Sequence, residues 1–324
     1  MNIRELFSLA IDLGIQNDFR SHEKIQEYLR YIKKQYDELP KKNKAFFDTD
    51  RCVNPYADCA IHYIADLKKD VKKVLAGIDI GGSELLVAER LSYRDPKNPI
   101  DLVIGHHPVG KALAGLDSVM DLQIDVFEQY GIPVNIAEGL MKKRISEVSR
   151  GVNPINHYQS VDIARILNIS FLNIHTPSDN MVATFLKKLL NKEKPKYVGE
   201  ILDIFMEIPE YKEATKQGTP PCLFAGSKEN RVGKIALTEI TGGTEGSSDM
   251  YKHIASAGIG TIIAMHQSER HRKEAEKAHI NVVVAGHMSS DSIGMNLFLD
   301  ELEKRGIEVI PCSGLIRYSR IHKK

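Results

Sequence analysis

Four apolar runs of strand character in this chain each stop on a histidine, and this constrains its fold more than any other feature. Asp101-Leu102-Val103-Ile104-Gly105 runs into His106-His107-Pro108, and residues 169–174 run into His175-Thr176-Pro177-Ser178-Asp179. Residues 261–265 meet His266, and residues 280–285 pass through Gly286 into His287-Met288-Ser289-Ser290-Asp291. The chain has 12 histidines, and four such junctions are more than scattered placement gives. In open α/β sheets, ligands bind beyond the carboxyl ends of the strands. The junctions therefore predict one shared site of imidazoles and carboxylates at a sheet edge. Neighbouring side chains on extended backbone point apart, so His106 and His107 are expected to serve two ions rather than chelate one.

Helical spacing precedes and separates these runs. Ile3, Leu6, Phe7, Ala10 and Leu13 share one helix face, and Ile25, Tyr28, Leu29 and Ile32 share another. Residues 118–130, 138–150 and 157–167 read as further helices, residues 133–137 as a short strand, and residues 74–80 as a strand ending near Asp79. Strands alternating with helices of this length predict an α/β fold with mixed or largely parallel sheets. A charged, turn-rich stretch over 191–221 marks a boundary. The expected organisation is an N-terminal helical extension (1–53), a first α/β lobe (54–190), a linker (191–221) and a second α/β lobe (222–324).

Composition excludes several classes. A chain of 324 residues can bury a large core and divide into about two lobes. Its 44 basic and 43 acidic residues leave a net charge of +1, which argues against a dedicated nucleic-acid surface. Cys52, Cys59, Cys222 and Cys312 form no C-x-x-C pair and read as reduced thiols. Residues 1–14 lack the apolar centre of a signal peptide. No stretch approaches the ~18 apolar residues of a membrane span. The expectation is a cytoplasmic protein with no membrane partner.

Some motifs carry two readings. Gly81-Gly82-Ser83-Glu84 opens a helix but matches neither dinucleotide nor Walker spacing, so a plain strand-to-helix turn is expected; Asp79 at the strand end could reach the site, but the sequence favours a structural role for it. Thr176-Pro177-Ser178-Asp179 is also a capping box, in which Asp179 would only satisfy backbone amides. The Gly-rich loop 241–248 reads as a mobile turn before a helix whose amides could hold an anion. His271 and His279, on a charged helix, lack a convincingly spaced carboxylate.

Imidazole and carboxylate ligands without thiolate suit zinc, iron, manganese, cobalt or nickel. His106, His107, Asp179, His287 and Asp291 are too many for one catalytic zinc with an open position. They fit two divalent ions with one carboxylate bridging. Such a pair can bring a shared water towards a pKa of ~7 and favours hydrolysis of an amide, amidine or phosphate-type bond of a small molecule. No G-x-S-x-G elbow offers a nucleophilic alternative.

These residues also resemble a known family. Residues 101–108, 175–179 and 286–291 are similar to the signature segments of the NGG-one interacting factor three family, also called the dinuclear-metal-centre or DUF-thirty-four family, and the double histidine before proline is the most specific element. The resemblance covers most of the chain from about Asn54 onward. It implies that His106 and His107 bind separate metals, that Asp179 binds or bridges, and that His287 with Asp291 completes the pair. Two departures stand out. Asp291 occupies a place usually held by glutamate, and Met265-His266-Gln267 replaces a frequent T-G-E, where His266 could add a ligand or contact substrate in compensation. The family implies two related α/β lobes around a metal cleft and ring-shaped homo-oligomers, commonly hexamers. Some members are identified as an alternative type of GTP cyclohydrolase I. The competing implication is a non-catalytic metal-binding ring that serves interaction or regulation.

Overall fold

The computed structural model describes residues 1–321. Among the described residues, nine strands form two sheets. They are β1 (Ala60–Tyr63), β2 (Lys73–Gly77), β3 (Leu102–Gly105), β4 (Phe171–Asn173), β5 (Cys222–Ala225), β6 (Lys234–Glu239), β7 (Ile259–Ala264), β8 (Asn281–Val284) and β9 (Glu308–Cys312). The first sheet has the order β1-β4-β3-β2-β9 and the second β5-β8-β7-β6. The same winding therefore occurs twice. In each case an antiparallel edge strand is followed by three parallel ones. The C-terminal strand β9 returns to pair in parallel with β2 of the first sheet.

Strands β3, β4 and β8 are buried along their whole length, as expected where helices cover both faces of a parallel sheet. Register then aligns their ends. Gly77 pairs with Gly105, and Gly105 with Asn173, so the residues following β2, β3 and β4 emerge along one edge. The N-terminal helix Ile3–Gln16 buries Ile3, Leu6 and Ala10 in the core of the first sheet. Within residues 191–221, the helices Val198–Phe205 and Pro209–Lys216 bury Ile201, Phe205 and Tyr211. Among the described residues no helix is long and apolar enough to cross a membrane.

One expectation of local structure changes. Residues 133–137 are not a strand but the start of the helix Val134–Val152. Pro133 stands at its N-cap, and Ala137, Met141 and Val148 are buried at helical spacing against residues of the second sheet such as Ile262 and Val282. The final long helix begins at His287.

The helices Thr176–Glu193 and His287–Glu303 cross in close contact. Gly294 allows it, because a Cβ there would lie 2.3 Å from the Ser178 carbonyl oxygen. Neither backbone can yield without moving a whole helix. Gly294→Ala is therefore expected to cost about 1–3 kcal/mol in denaturant unfolding. Gly139→Ala, at an exposed helical position with open space around it, is expected to be neutral or stabilising.

Candidate metal centre

Each functional side chain is delivered by a strand end or the N-terminal end of a helix. His106 and His107 follow β3 directly, and His175 follows Ile174 beyond β4. Gly286 makes the turn from β8 into the last helix at φ 107°. That backbone favours glycine, and a Cβ there would also lie 2.6 Å from Ser289 Oγ. The turn makes His287 the first helical residue, so Asp291, one turn on, shares its face.

The groups converge around the carboxylate of Asp291. Its Oδ1 lies 3.5 Å from His106 Nε2, which is also 3.5 Å from Asp179 Oδ1. Its Oδ2 lies 3.4 Å from His107 Nε2 and 3.6 Å from His287 Nε2. The carboxylate thus stands between two sets of donors, one deep and one open. His106 is fully buried, whereas the His107 and His287 side chains are 23% and 39% exposed. His106, Asp179 and Asp291 form one group able to hold a metal ion, His107, His287 and Asp291 a second, and His106, His107 and His175 a third.

Surrounding residues fix the rings. His107 Nδ1 is 2.7 Å from Asp79 Oδ1, and His175 Nδ1 is 2.7 Å from Asp58 Oδ2. His106 Nδ1 meets Ser178 Oγ at 2.8 Å and the Ile174 carbonyl at 3.2 Å. With Nδ1 donating to a carboxylate or carbonyl, the Nε2 lone pair points into the site, the arrangement typical of metal-bound histidine. Four ligand atoms are buried with no hydrogen-bond partner: His106 Nε2, Asp179 Oδ1, and both oxygens of Asp291. Buried polar atoms are rarely left bare, since each costs about 1–3 kcal/mol. The atoms present fit a cation.

Electrostatics agree. Burial pushes the Asp179 carboxyl up to about 6, against the pull of His175 and His106. Burial would raise Asp291 too, but His106, His107 and His287 outweigh it and hold that carboxyl below its ordinary range. Burial lowers the His287 imidazole to about 4, despite Asp291. For His175 burial loses to Asp179 and Asp58, and the ring rises to about 9.

The chain was compared with known proteins. No family model and no curated protein matches it. A NIF3 superfamily protein from Sphaerobacter thermophilus superposes with a TM-score of 0.73 at 24% identity, covering 97% of this chain and 99% of that one. The fold is that of the NIF3 superfamily. Reduced HcgD from Methanocaldococcus jannaschii is similar over 88% of this chain and 96% of its own, with a TM-score of 0.51 at 17% identity.

Within this NIF3 fold, the five sequence-derived residues His106, His107, Asp179, His287 and Asp291 come together. The capping-box reading of Asp179 does not hold. The helix N-cap is His175, no side chain caps it, and Asp179 Oδ1 has no partner. Asp79 reaches the site through His107. His266 stands with its ring centroid 4.7 Å from that of His287, outside the three metal-holding groups. Its Nδ1 lies 3.2 Å from Glu245 Oε1, in the loop that reads as a mobile turn. His271 is buried and bonds Ser268 Oγ and the Gly246 carbonyl, so it supports that loop. Asp58 and Glu245 were missed, since both lie on loops without periodicity. The one signal at Asp58 is an acid enclosed by Tyr56, Ala57, Cys59 and Ala60.

The raised pKa of Asp179 sets a test. A carboxyl whose folded value exceeds the usual 3.8 is destabilising when ionised, so its cost develops as pH rises from 3.8 to about 6. In chelator-treated protein, Asp179→Asn is expected to raise Tm at pH 8 and to leave it unchanged near pH 3.5. A lower Tm for the variant at pH 8 would contradict the burial argument.

Proposed function

We propose that this chain is a NIF3 family member that binds two divalent metal ions and hydrolyses a small molecule. The observation carrying this reading is the convergence of four buried, unpartnered ligand atoms on the Asp291 carboxylate. His106, Asp179 and Asp291 Oδ1 would hold one ion, and His107, His287 and Asp291 Oδ2 the other. His175 borders the first set, its Nε2 3.9 Å from Asp179 Oδ2. The nitrogen and oxygen donors suit zinc, iron, manganese, cobalt or nickel. Bound there, paired ions supply a nucleophile from water near neutral pH and polarise the bond to be cleaved.

The chain's own residues account for the remaining parts. Asp79, Asp58 and Ser178 hold the imidazole rings in orientation. The partial exposure of His107 and His287 leaves one side of the site open to solvent, and His266, oriented by Glu245, stands on that side to contact substrate. This openness favours the hydrolase over a non-catalytic metal-binding ring for interaction or regulation, in which the ions would be fully enclosed by protein. The most specific version is GTP cyclohydrolase chemistry of the alternative type I. We further infer a cytoplasmic homo-oligomer, a hexameric ring, without nucleic-acid or membrane partners.

Elemental analysis of tag-free protein purified without chelator is expected to find about two metal equivalents per chain, lost in the His106→Ala, Asp291→Ala double variant. Asp79→Ala, which removes the acceptor of the His107 Nδ1–H, is expected to weaken metal binding by about 10–100-fold. Metal-loaded protein should release formate from GTP. Protein that takes up no metal after reconstitution would overturn the reading.

A further inference from the structure

We propose that a basic groove along the outer edge of β6 takes an extended acidic segment of a partner protein as an added strand. This site does not depend on the metal reading. Groove and metal cleft stand at opposite ends of the same two elements. Glu239, which closes β6, and Asp179, at the N-terminal end of the Thr176–Glu193 helix, line the cleft. Lys234, which opens β6, and Lys187 and Leu190, towards the other end of that helix, line the groove.

The first observation is an unpartnered sheet edge. β6 is the last strand of the second sheet and pairs only with β7. An edge strand keeps a row of backbone groups that no neighbouring strand takes. At one end of this edge the Leu237 N–H donates to the Tyr130 hydroxyl at 3.2 Å. Just before the strand, the Val232 N–H donates to the Lys196 carbonyl at 3.0 Å. Between these two bonds, Gly233, Lys234 and Ile235 border a cavity of about 630 Å³, and Gly233 and Lys234 are exposed. An extended peptide joins such an edge by main-chain hydrogen bonds, and the side chains around the groove supply specificity.

The second observation is charge. Lys187, Leu190, Asn191 and Lys194 all line the groove, and their spacing of i, i+3, i+4 and i+7 makes them one wall. The two lysines on it are about 10 Å apart along the helix axis. Lys234 adds a third ammonium from the strand, and neither aspartate nor glutamate lines the groove. Lys187 lies over the Phe19 ring, and Lys234 lies over the Tyr130 ring and donates to the Tyr130 carbonyl. These contacts hold the side chains but leave their charge unneutralised. Lysines near a helix C-terminus complement its dipole, which gives Lys187 and Lys194 a local reason; Lys234, on a strand, has none. The charges are spread along the groove rather than gathered on one point. Acids at alternate positions of an extended strand, about 7 Å apart, match that distribution better than a single phosphate does.

Fluorescence anisotropy of the full chain with a labelled peptide of alternating glutamate and valine tests this. The peptide is expected to bind at least about tenfold tighter than its glutamine–valine counterpart, and less tightly as salt is raised. Methylating alternate peptide amides removes backbone donors and keeps the charge, and should cost at least about tenfold in affinity. The Lys187→Gln, Lys194→Gln, Lys234→Gln triple variant should lose about tenfold, with Tm and metal content unchanged. Equal affinity for the glutamate and glutamine peptides, or for the methylated and unmethylated ones, would overturn the proposal. Displacement of the peptide by equimolar inorganic tripolyphosphate would overturn it in favour of a small polyanion. A changed oligomeric mass in the triple variant would overturn it in favour of a second copy of this chain.

Discussion

The close crossing of two helices holds this site together. Gly294 lets the His287–Glu303 helix approach the Ser178 carbonyl of the Thr176–Glu193 helix, and the N-terminal ends of these helices carry Asp291 and Asp179. Their carboxylates thereby come within 3.5 Å of one imidazole, His106. The strand register adds the remaining groups, because β3 and β4 end level with one another and deliver His106, His107 and His175 to the same edge. The N-terminal helix supports the arrangement from behind. Gly14 lies against Pro177, and the Asn180 amide donates to the Gly14 carbonyl. A segment with no chemistry of its own thus braces the turn that carries Asp179.

The centre illustrates how function opposes stability. Two buried carboxylates and buried imidazoles are an expensive combination in the absence of a cation. A chain selected for stability alone would replace Asp179 with a neutral side chain. Retaining it, with no partner for Oδ1, is explicable if a positive charge belongs there.

Much of this was legible in the sequence, for definite reasons. The α/β fold follows from apolar runs alternating with helical periodicity, and the doubled winding turns those runs into two similar sheets. His106, His107, His287 and Asp291 stand out because they interrupt strand ends where apolar residues would otherwise continue. Asp179 was ambiguous, since a helix N-terminus also wants an acid there, and only its missing hydrogen bond separates the two roles. Asp58 and Glu245 lie in loops where no period exists to violate, so their burial and partners emerge only in three dimensions. Residues 133–137 gave no length over which strand and helix could be told apart. The pairing of β9 with β2 is equally absent from local sequence, because a strand's own residues do not name its neighbour.

The central claim is that two cations would share the Asp291 carboxylate, one held with His106 and Asp179 and the other with His107 and His287. Anomalous diffraction from crystals grown with zinc or manganese tests it most directly. The account expects two peaks about 3.5–4 Å apart, one among His106, Asp179 and Asp291 and the other among His107, His287 and Asp291. A single peak, or peaks remote from the Asp291 carboxylate, would contradict it.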